Sequence, residues 1–468
     1  MRIVMKFGGT AIDSPDKVNH VANLIKMYKR NGDNEIISVV SAVRGMTDAI
    51  LAISSSIKRG DKVSINNFIK RTRDIHTTIV ERALVDEKLK AEARSVISKL
   101  IHELENILDG IALLSEVTPK SLDYLLSFGE RLSTPIVSFA LRNSGVTSDY
   151  LTGKEAGIVT DSNYGEARPL MDTTQHRLLH KIEPLLKNDI VPVVTGFIGA
   201  DQNGNTTTIG RGGSDYTATI IAASLGAHEV WLWSDVDGLM TADPKIVKDA
   251  KVLKEVSFSE AMEMALFGAK YMHPRALEPI LEAKIPIRIR NTLNVNHRGT
   301  LIVQTPSGSS QKIVKSISAI RHTALIDVSG VAMAGAPGTA AKIFDVLAKN
   351  KVNIMMISQS PSESSISMIV RKVDLDKAAM TLELNLLGKV IRKVNISADV
   401  AVIAVVGSGM RGIKGIAAKV FRAVAKQNIN VIMITQGSSE LNLAFVVDDN
   451  DCDRAVKALH DEFRLAEV

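Results

Sequence analysis

Lys6 stands at the end of a short apolar run, Ile3-Val4-Met5, and is followed by Phe7-Gly8-Gly9-Thr10. An amine beside two glycines suits phosphate, because no Cβ blocks the approach of a ligand to the backbone. A helix entered after such a turn aims N–H groups and the positive end of its dipole at the same anion. The spacing differs from G-x-x-x-x-G-K-[ST], so this is not a P-loop. A second constellation is Gly210-Arg211-Gly212-Gly213-Ser214-Asp215. Its glycines open the backbone, Arg211 offers a planar fork for a carboxylate, and Asp215 lies at a predicted helix start. The bland alternative is a glycine hairpin with a surface arginine. Glu130, within Ser127-Phe128-Gly129-Glu130-Arg131, is either a helix-start anion satisfying backbone donors or a partner for a substrate ammonium. Lys270 follows Gly268-Ala269 at a predicted helix end, where the dipole already favours a cation. Ser234-Asp235 closes a predicted strand, as a simple cap or as a ligand contact. His273, before Pro274, is assigned no role.

Positioning these residues is the work of alternating strands and helices. Residues 36–43 read as a second buried strand, which puts Ser41 and Thr47 at its C-terminal end and in the loop beyond, where open α/β sheets place ligands. Residues 63–114 are helical by period and form an excursion from the sheet. After the stretch 127–133, Pro135 leads into an apolar helix ending near Leu141. Residues 190–198 read as one buried strand, and Asn203-Gly204 as a tight hairpin turn. A small-residue helix over 216–225, a strand over 230–233, a helix over 259–267 and closing strands over 285–289 and 300–303 complete the pattern. Alternation over roughly 300 residues predicts one α/β domain with a mainly parallel sheet.

Thr305-Pro306-Ser307-Gly308-Ser309-Ser310 is a linker by composition. Beyond it Gly330, Met333, Gly335, Gly338, Phe344, Asn353, Gln359 and Glu363 recur, at a constant offset of 77 residues, as Gly407, Met410, Gly412, Gly415, Phe421, Asn430, Gln436 and Glu440. Each copy reads strand, turn, helix, strand, strand, helix, and so predicts two sister domains. The first copy has residues 390–396 as a last strand; the second ends after its helix with nothing to close it. The spare strand over 313–320 is therefore expected to complete the second copy, with the first copy inserted into it. Gly407-Ser408-Gly409-Met410-Arg411-Gly412 matches G-x-G-x-x-G, but the next strand, over 430–435, lacks the acidic residue that would hold a ribose. A dinucleotide fold is rejected.

The chain has 468 residues, 45% apolar and 23% charged, as soluble globular proteins do. A net charge of +6, with no basic stripe interleaved with aromatics, argues against a nucleic-acid partner. Cys452 is alone, which fits a reducing compartment. The N-terminus enters a strand without a signal-peptide pattern, and no apolar run is long enough for a membrane span, so the expectation is the cytoplasm.

Taken together, Lys6-Phe7-Gly8-Gly9-Thr10, Val40-Ser41-Ala42, Phe128-Gly129-Glu130-Arg131, Gly210-Arg211-Gly212-Gly213-Ser214-Asp215 and Phe267-Gly268-Ala269-Lys270-Tyr271-Met272-His273-Pro274 resemble the aspartate kinase family in order and spacing over essentially the whole chain. The two C-terminal copies, with Gln359 and Gln436-Gly437-Ser438-Ser439-Glu440, resemble that family's paired ACT regulatory domains. The resemblance implies an α/β fold, a three-layer amino-acid kinase sandwich with a mainly parallel sheet, followed by two βαββαβ (ferredoxin-like) ACT domains. The expected division is 1–304 catalytic, 305–320 linker and strand shared with the second ACT domain, 321–394 the first ACT domain and 395–468 the second. No homoserine dehydrogenase extension follows, so the likeness is to the monofunctional type.

The implied reaction moves the γ-phosphoryl of MgATP to the β-carboxylate of L-aspartate, giving 4-phospho-L-aspartate at the entry to lysine, threonine and methionine synthesis. A carboxylate is already a nucleophile, so catalysis rests on alignment and charge neutralisation. By resemblance, Lys6 and Lys270 hold the phosphates, Asp215 orients those lysines, and Gly8, Gly9 and Thr10 add backbone contacts. Arg211 grips a substrate carboxylate, Glu130 takes the amino group, and Ser41, Thr47, Gly212 and Ser214 complete the aspartate site. Ser234, Asp235, Met240 and Asp243 line the nucleoside pocket, although Ser234 stands where threonine is common and Met240 where an aromatic is frequent. Mg²⁺ comes with the nucleotide and needs few dedicated protein ligands. Met333, Ala336, Gly338, Asn353 and Gln359 in the first copy, and Asn430, Gln436 and Asn442 in the second, are the implied effector residues. Gln359-Ser360-Pro361-Ser362-Glu363 departs from the usual Q-G-S-S-E, and Ser365 stands where Asn442 stands in the second copy, so the two effector sites are expected to differ. Met355 and Ile432 occupy matching positions facing the effector cleft, and with no carboxylate there threonine is favoured over lysine. Paired ACT domains further imply a homodimer or homotetramer. The rival readings are a kinase for glutamate or acetylglutamate, and an inactive amino-acid sensor, which would be expected to have lost Lys6, Asp215 or Lys270.

Overall fold

The run Ile3-Val4-Met5 lies in strand β1 (Arg2–Phe7), apolar on both faces because it sits inside a parallel sheet. The structure is a computed structural model and describes residues 1–30, 34–57, 61–268, 272–307, 312–330, 336–362 and 364–467. Contacts divide the chain into two units, one of residues 1–239, 254–258 and 270–306, the other of 240–253, 259–269 and 307–468.

After β1 come α1 (Pro15–Arg30), β2 (Glu35–Val40), α2 (Met46–Ile57), α3 (Lys62–Ala83), α4 (Glu87–Leu114), α5 (Pro119–Asn143), β3 (Ser148–Leu151), α6 (Gly153–Ala156), α7 (Met171–Lys187), β4 (Val191–Thr195), β5 (Ile198–Ala200), β6 (Thr206–Thr208), α8 (Gly213–Leu225) and β7 (Glu229–Ser234). Then follow β8 (Glu255–Ser257), α9 (Phe258–Leu266), α10 (Glu278–Ala283), β9 (Ile287–Asn291) and β10 (Thr300–Val303). The main sheet has the order β3-β4-β2-β1-β7-β9-β10-β8, and every neighbouring pair is parallel except β9 with β10. Ile3, Met5 and Phe7 enter a core shared with α1, α3, α4 and α5. The two-residue period turns Val4 and Lys6 to the opposite face, where α8 packs on β1. Helices thus cover both faces, in three layers.

Gly9–Ala11 forms a 3₁₀ turn, and the amphipathic stretch 17–28 is helical within α1. Two local readings change. The strand expected over 190–198 is two strands, broken at Gly196-Phe197, where Phe197 takes φ +66°. Residues 127–141 do not hold a break: α5 is one helix with Pro135 inside it, opened by a capping box between Thr118 and Ser121. Proline costs a helix one backbone hydrogen bond, and here the helix is buried on nearly all sides, so packing holds it straight through.

The second unit contains β11 (Ser316–Ser329), α11 (Thr339–Lys349), β12 (Met356–Gln359), β13 (Ser365–Arg371), α12 (Leu375–Leu386), β14 (Lys393–Val406), α13 (Ile416–Lys426), β15 (Met433–Thr435), β16 (Asn442–Asp448) and α14 (Cys452–Glu462). They form an antiparallel sheet of order β12-β13-β11-β14-β16-β15. The spare strand and the first strand of the first copy are one continuous strand, β11, with irregular register around His322 at φ +58°. Residues 316–320 pair with 402–406 of the second copy, and Ile317 enters that copy's core. Residues 323–329 pair with β13 and the first half of β14, and Ala324, Ile326 and Val328 enter the first copy's core. Among the described residues no helix is long and apolar enough to cross a membrane.

Candidate active site

The C-terminal ends of β1, β2, β4 and β7 lie side by side, with Phe7 opposite Val40 and Trp233, and Val40 opposite Thr195. At that edge opens a cavity of about 740 Å³ lined by Lys6, Ser41, Thr47, Asp123, Glu130 and the 210–215 turn, among others. Residues from four separate stretches of sequence meet there. Lys6 Nζ lies 2.6 Å from Asp215 Oδ1, with both side chains mostly buried. Asp215 occupies the first turn of α8, as its place after the glycines predicts.

The 210–213 turn needs its glycines. Gly212 has φ +69°, and a Cβ there would lie 2.1 Å from His273 Cβ. The turn is closed by the Gly213 N–H on the Gly210 carbonyl at 3.0 Å. Arg211 projects from it, exposed, lining the cavity, and in no ion pair among the described residues. A guanidinium in that setting is available to an anion from solvent.

Glu130 lies in the middle of α5, not at a helix start. The cap reading is corrected in part: the carboxylate does accept a backbone N–H, but from the loop after β2. Oε1 accepts from Ala42 at 3.1 Å, while Oε2 has no hydrogen-bond partner among the described residues. Helix and loop come this close because residue 129 is glycine; a Cβ would lie 2.7 Å from Ala42 Cβ. Burial pushes the Glu130 carboxyl up to about 8, against the Ala42 N–H and the nearby Lys6, which pull it down. A buried carboxylate with one oxygen unused is a half-made site for a cation.

Ser41 and Thr47 line the same cavity; the Ser41 carbonyl also accepts from Ser133 Oγ at 2.7 Å. The Gly8 N–H donates to the Trp233 carbonyl at 3.3 Å, so the sheet already uses that amide, and Gly8 sits beside the end of β7 where Ser234 and Asp235 lie. Met240 and Asp243 fall in the second unit; Asp243 holds a turn there, its carboxylate accepting from Lys245 N at 2.9 Å. Lys270 and Met333 lie outside the described residues. The reading of single motifs missed Asp123, buried in the cavity wall seven residues before Glu130 on α5. A spacing of seven puts two helical residues on one face, and that was the available signal.

In the repeat, Gly338 caps α11 at φ +86°, the Ala336 carbonyl accepts from Thr339, Asn353 precedes β12 and Gln359 ends it. Asn430 and Gln436 are exposed at the matching positions. Asn442 has a different situation, since its amide donates to Glu263 of α9. The G-x-G-x-x-G turn is likewise occupied from within: Ser408 N and Oγ donate to Glu260 Oε1 at 2.9 and 2.6 Å, and Lys315 pairs with Glu260 Oε2 at 3.0 Å.

Comparison with known proteins gives the same picture. Residues 1–291 match the Amino acid kinase family, and residues 326–386 and 403–463 each match an ACT domain. A bifunctional aspartokinase/homoserine dehydrogenase 1 of Zea mays is 33% identical over 99% of this chain; the chain spans about half of that relative, 50%. Aspartokinase 1 of Arabidopsis thaliana is 32% identical over 98% of this chain and 80% of its own length. Among solved structures, E. coli aspartokinase III in complex with aspartate and ADP (R-state) has a TM-score of 0.84 at 27% identity, covering 99% of both chains. The same enzyme in complex with lysine and aspartate (T-state) gives 0.81 at 28% identity, covering 98% of this chain and 99% of its own. With the cavity, the paired Lys6 and Asp215, and the repeated C-terminal copies in view, the chain belongs to the amino acid kinase family and, within it, to the aspartokinases.

Proposed function

We propose that the protein transfers the γ-phosphoryl group of ATP to the β-carboxylate of L-aspartate, yielding ADP and 4-phospho-L-aspartate. A carboxylate oxygen attacks the γ-phosphorus; that O–P bond forms as the bond to the β–γ bridging oxygen breaks, and the electrons leave with ADP. No proton has to be removed from the nucleophile. The chain's task is therefore to align two anions and offset their charge. Lys6 neutralises phosphate charge, and Asp215 holds its amine in place. Arg211 takes one carboxylate of aspartate in a two-point contact, and the unused Glu130 oxygen takes the ammonium. Ser41, Thr47, Gly212 and Ser214 line the remaining wall. Lys270 is the second phosphate cation in this reading, and Gly9, Thr10, Ser234 and Asp235 serve the nucleotide. A cation over a glycine turn at the sheet's C-terminal edge fits a polyphosphate. Mg²⁺ bound with ATP supplies further neutralisation of the phosphates.

The observation that carries the reading is the meeting, in one cavity, of a lysine–aspartate pair, an exposed arginine and a buried carboxylate with a spare oxygen. A 2-amino dicarboxylate has the complementary groups. Hydroxamate formation with ATP, compared across aspartate, glutamate and acetylglutamate, tests it. Aspartate should be turned over at least about tenfold better than either, since a missing methylene fit alone is worth that much. Turnover of acetylglutamate above aspartate would overturn it, because an acetylated amine has no ammonium for Glu130.

Regulation by a pathway amino acid at the ACT domains belongs to the same proposal. The E. coli enzyme was solved with lysine; here positions 355 and 432 are Met and Ile, and we assign threonine. The nested division of residues 305–468, supported by the pairing of 316–320 with 402–406, is part of the reading, as is a homodimer or homotetramer through the ACT domains. So is a cytoplasmic setting, in which the buried Cys452, its thiol pushed up to about 11 by burial, stays reduced and inert.

A further inference from the structure

Two carboxylates on one face of α5 meet the cavity, and their surroundings give them different work. Glu130 keeps an oxygen without a partner. Asp123 is saturated. Its Oδ2 accepts the N–H of Gly165 at 2.9 Å and of Thr208 at 2.8 Å, and its Oδ1 accepts the Thr208 hydroxyl at 2.8 Å. Thr208 is the last residue of β6, and the turn bearing Arg211 begins two residues later. Ile209 is held next: its N–H donates to the Phe197 carbonyl at 3.1 Å, and its own carbonyl accepts from Arg275 Nη1 at 3.3 Å. His273 packs against Gly212, and Arg275 Nη1 lies beside Gly210. The turn is thus anchored at its entrance by Asp123 and braced across its middle by the His273–Arg275 segment.

Resting on the reading proposed above, we infer that Asp123 is a positioning residue for aspartate recognition, fixing the turn that presents Arg211 through the shape of its hydrogen bonds and not through its charge. Aspartate carries a net charge of −1 and its one ammonium is taken by Glu130, so a further negative charge in this wall adds no attraction, whereas three donors in fixed directions locate the turn. Burial raises the Asp123 carboxyl, and the donors from Thr208 and Gly165 offset part of that rise. Asparagine has the same outline. Its oxygen can accept both N–H groups, and its amide can donate to Thr208 Oγ1, since a hydroxyl also accepts.

The test uses the full chain carrying Asp123→Ala, Asp123→Asn or Thr208→Val, with KM for aspartate and for ATP measured separately and the melting temperature recorded. Asp123→Ala should raise the aspartate KM by about tenfold or more while leaving the ATP KM within about twofold, as a misplaced binding group does. Asp123→Asn should stay within about threefold of wild type on both. Thr208→Val, which removes one of three donors and serves if the alanine variant does not fold, should raise the aspartate KM alone by about threefold. An asparagine variant as impaired as the alanine one would show that charge matters and overturn the inference. So would parallel rises in both KM values, or an aspartate KM that none of the variants moves. Wild-type protein without aspartate-dependent turnover would instead overturn the functional reading and the inference with it.

Discussion

In the proposed reading, Glu130 is the residue whose protonation aspartate binding most depends on. Its carboxyl ordinarily titrates near 4.5, and burial moves it to about 8 in the ligand-free cavity. Below that pH the site holds a proton that must leave before a substrate ammonium can pair with the carboxylate. The aspartate KM should therefore fall as pH rises from about 6 to 8, by up to about tenfold per unit, and level off above. The stability consequence has the same origin: between 4.5 and about 8 the folded chain binds a proton that the unfolded chain lacks, so this group's contribution declines as pH rises through that window. Glu130→Gln should flatten the KM profile; a wild-type profile already flat would remove Glu130 from the ammonium site. Lys6, Arg211 and Asp215 stood out beside their glycines, their roles came from the family resemblance, and the fold brings Lys6 and Asp215 within 2.6 Å. Glu130 was ambiguous, because only the fold shows that α5 runs unbroken through residue 130. Asp123 was passed over because it has no glycine or cluster beside it, and its partners Gly165 and Thr208 are 42 and 85 residues away.

At the scale of elements, period and composition located the strands and helices well and their joints less well. Proline at 135 reads as a boundary, but a helix walled in by α1–α4 and the sheet holds through it. The spare strand before the repeat and the repeat's first strand fuse into β11, since neither turn residues nor a glycine separate them; only the register irregularity near His322 marks the seam. The two copies match in element order yet differ in their ligand faces. In the second copy Asn442 is tied to Glu263 and Ser408 to Glu260, both from α9, while Asn353 and Gln359 of the first copy and their counterparts Asn430 and Gln436 are all exposed. In the proposed reading neither copy offers a lysine ammonium a carboxylate at the matching positions, Met355 and Ile432. Threonine at a hundred times its Kd should add about 2.7 kcal/mol to stability, a rise of several degrees in melting temperature. Differential scanning fluorimetry with threonine and with lysine checks this, and a shift with lysine alone would reverse the assignment.

For the whole molecule, alternation of strand and helix followed by a 77-residue repeat was enough to separate an α/β sheet from a paired antiparallel one. What the order of residues does not contain is which strand ends become neighbours. β1 and β7 are adjacent although more than two hundred residues separate them, and that adjacency carries Lys6 to Asp215 at the start of the helix before β7. A net charge of +6 spoke against a nucleic-acid partner without pointing to a substrate; the proposed substrate class rests on distant stretches of sequence that share one cavity. The central claim is that this convergence performs phosphoryl transfer to aspartate. It is tested most directly by the rate of aspartate-dependent hydroxamate formation in Lys6→Ala beside wild type, with circular dichroism confirming the fold. Loss of one preorganised charge contact at a transferring phosphoryl group predicts a fall of about 10²–10³-fold. A folded variant that keeps a near wild-type rate would contradict the account.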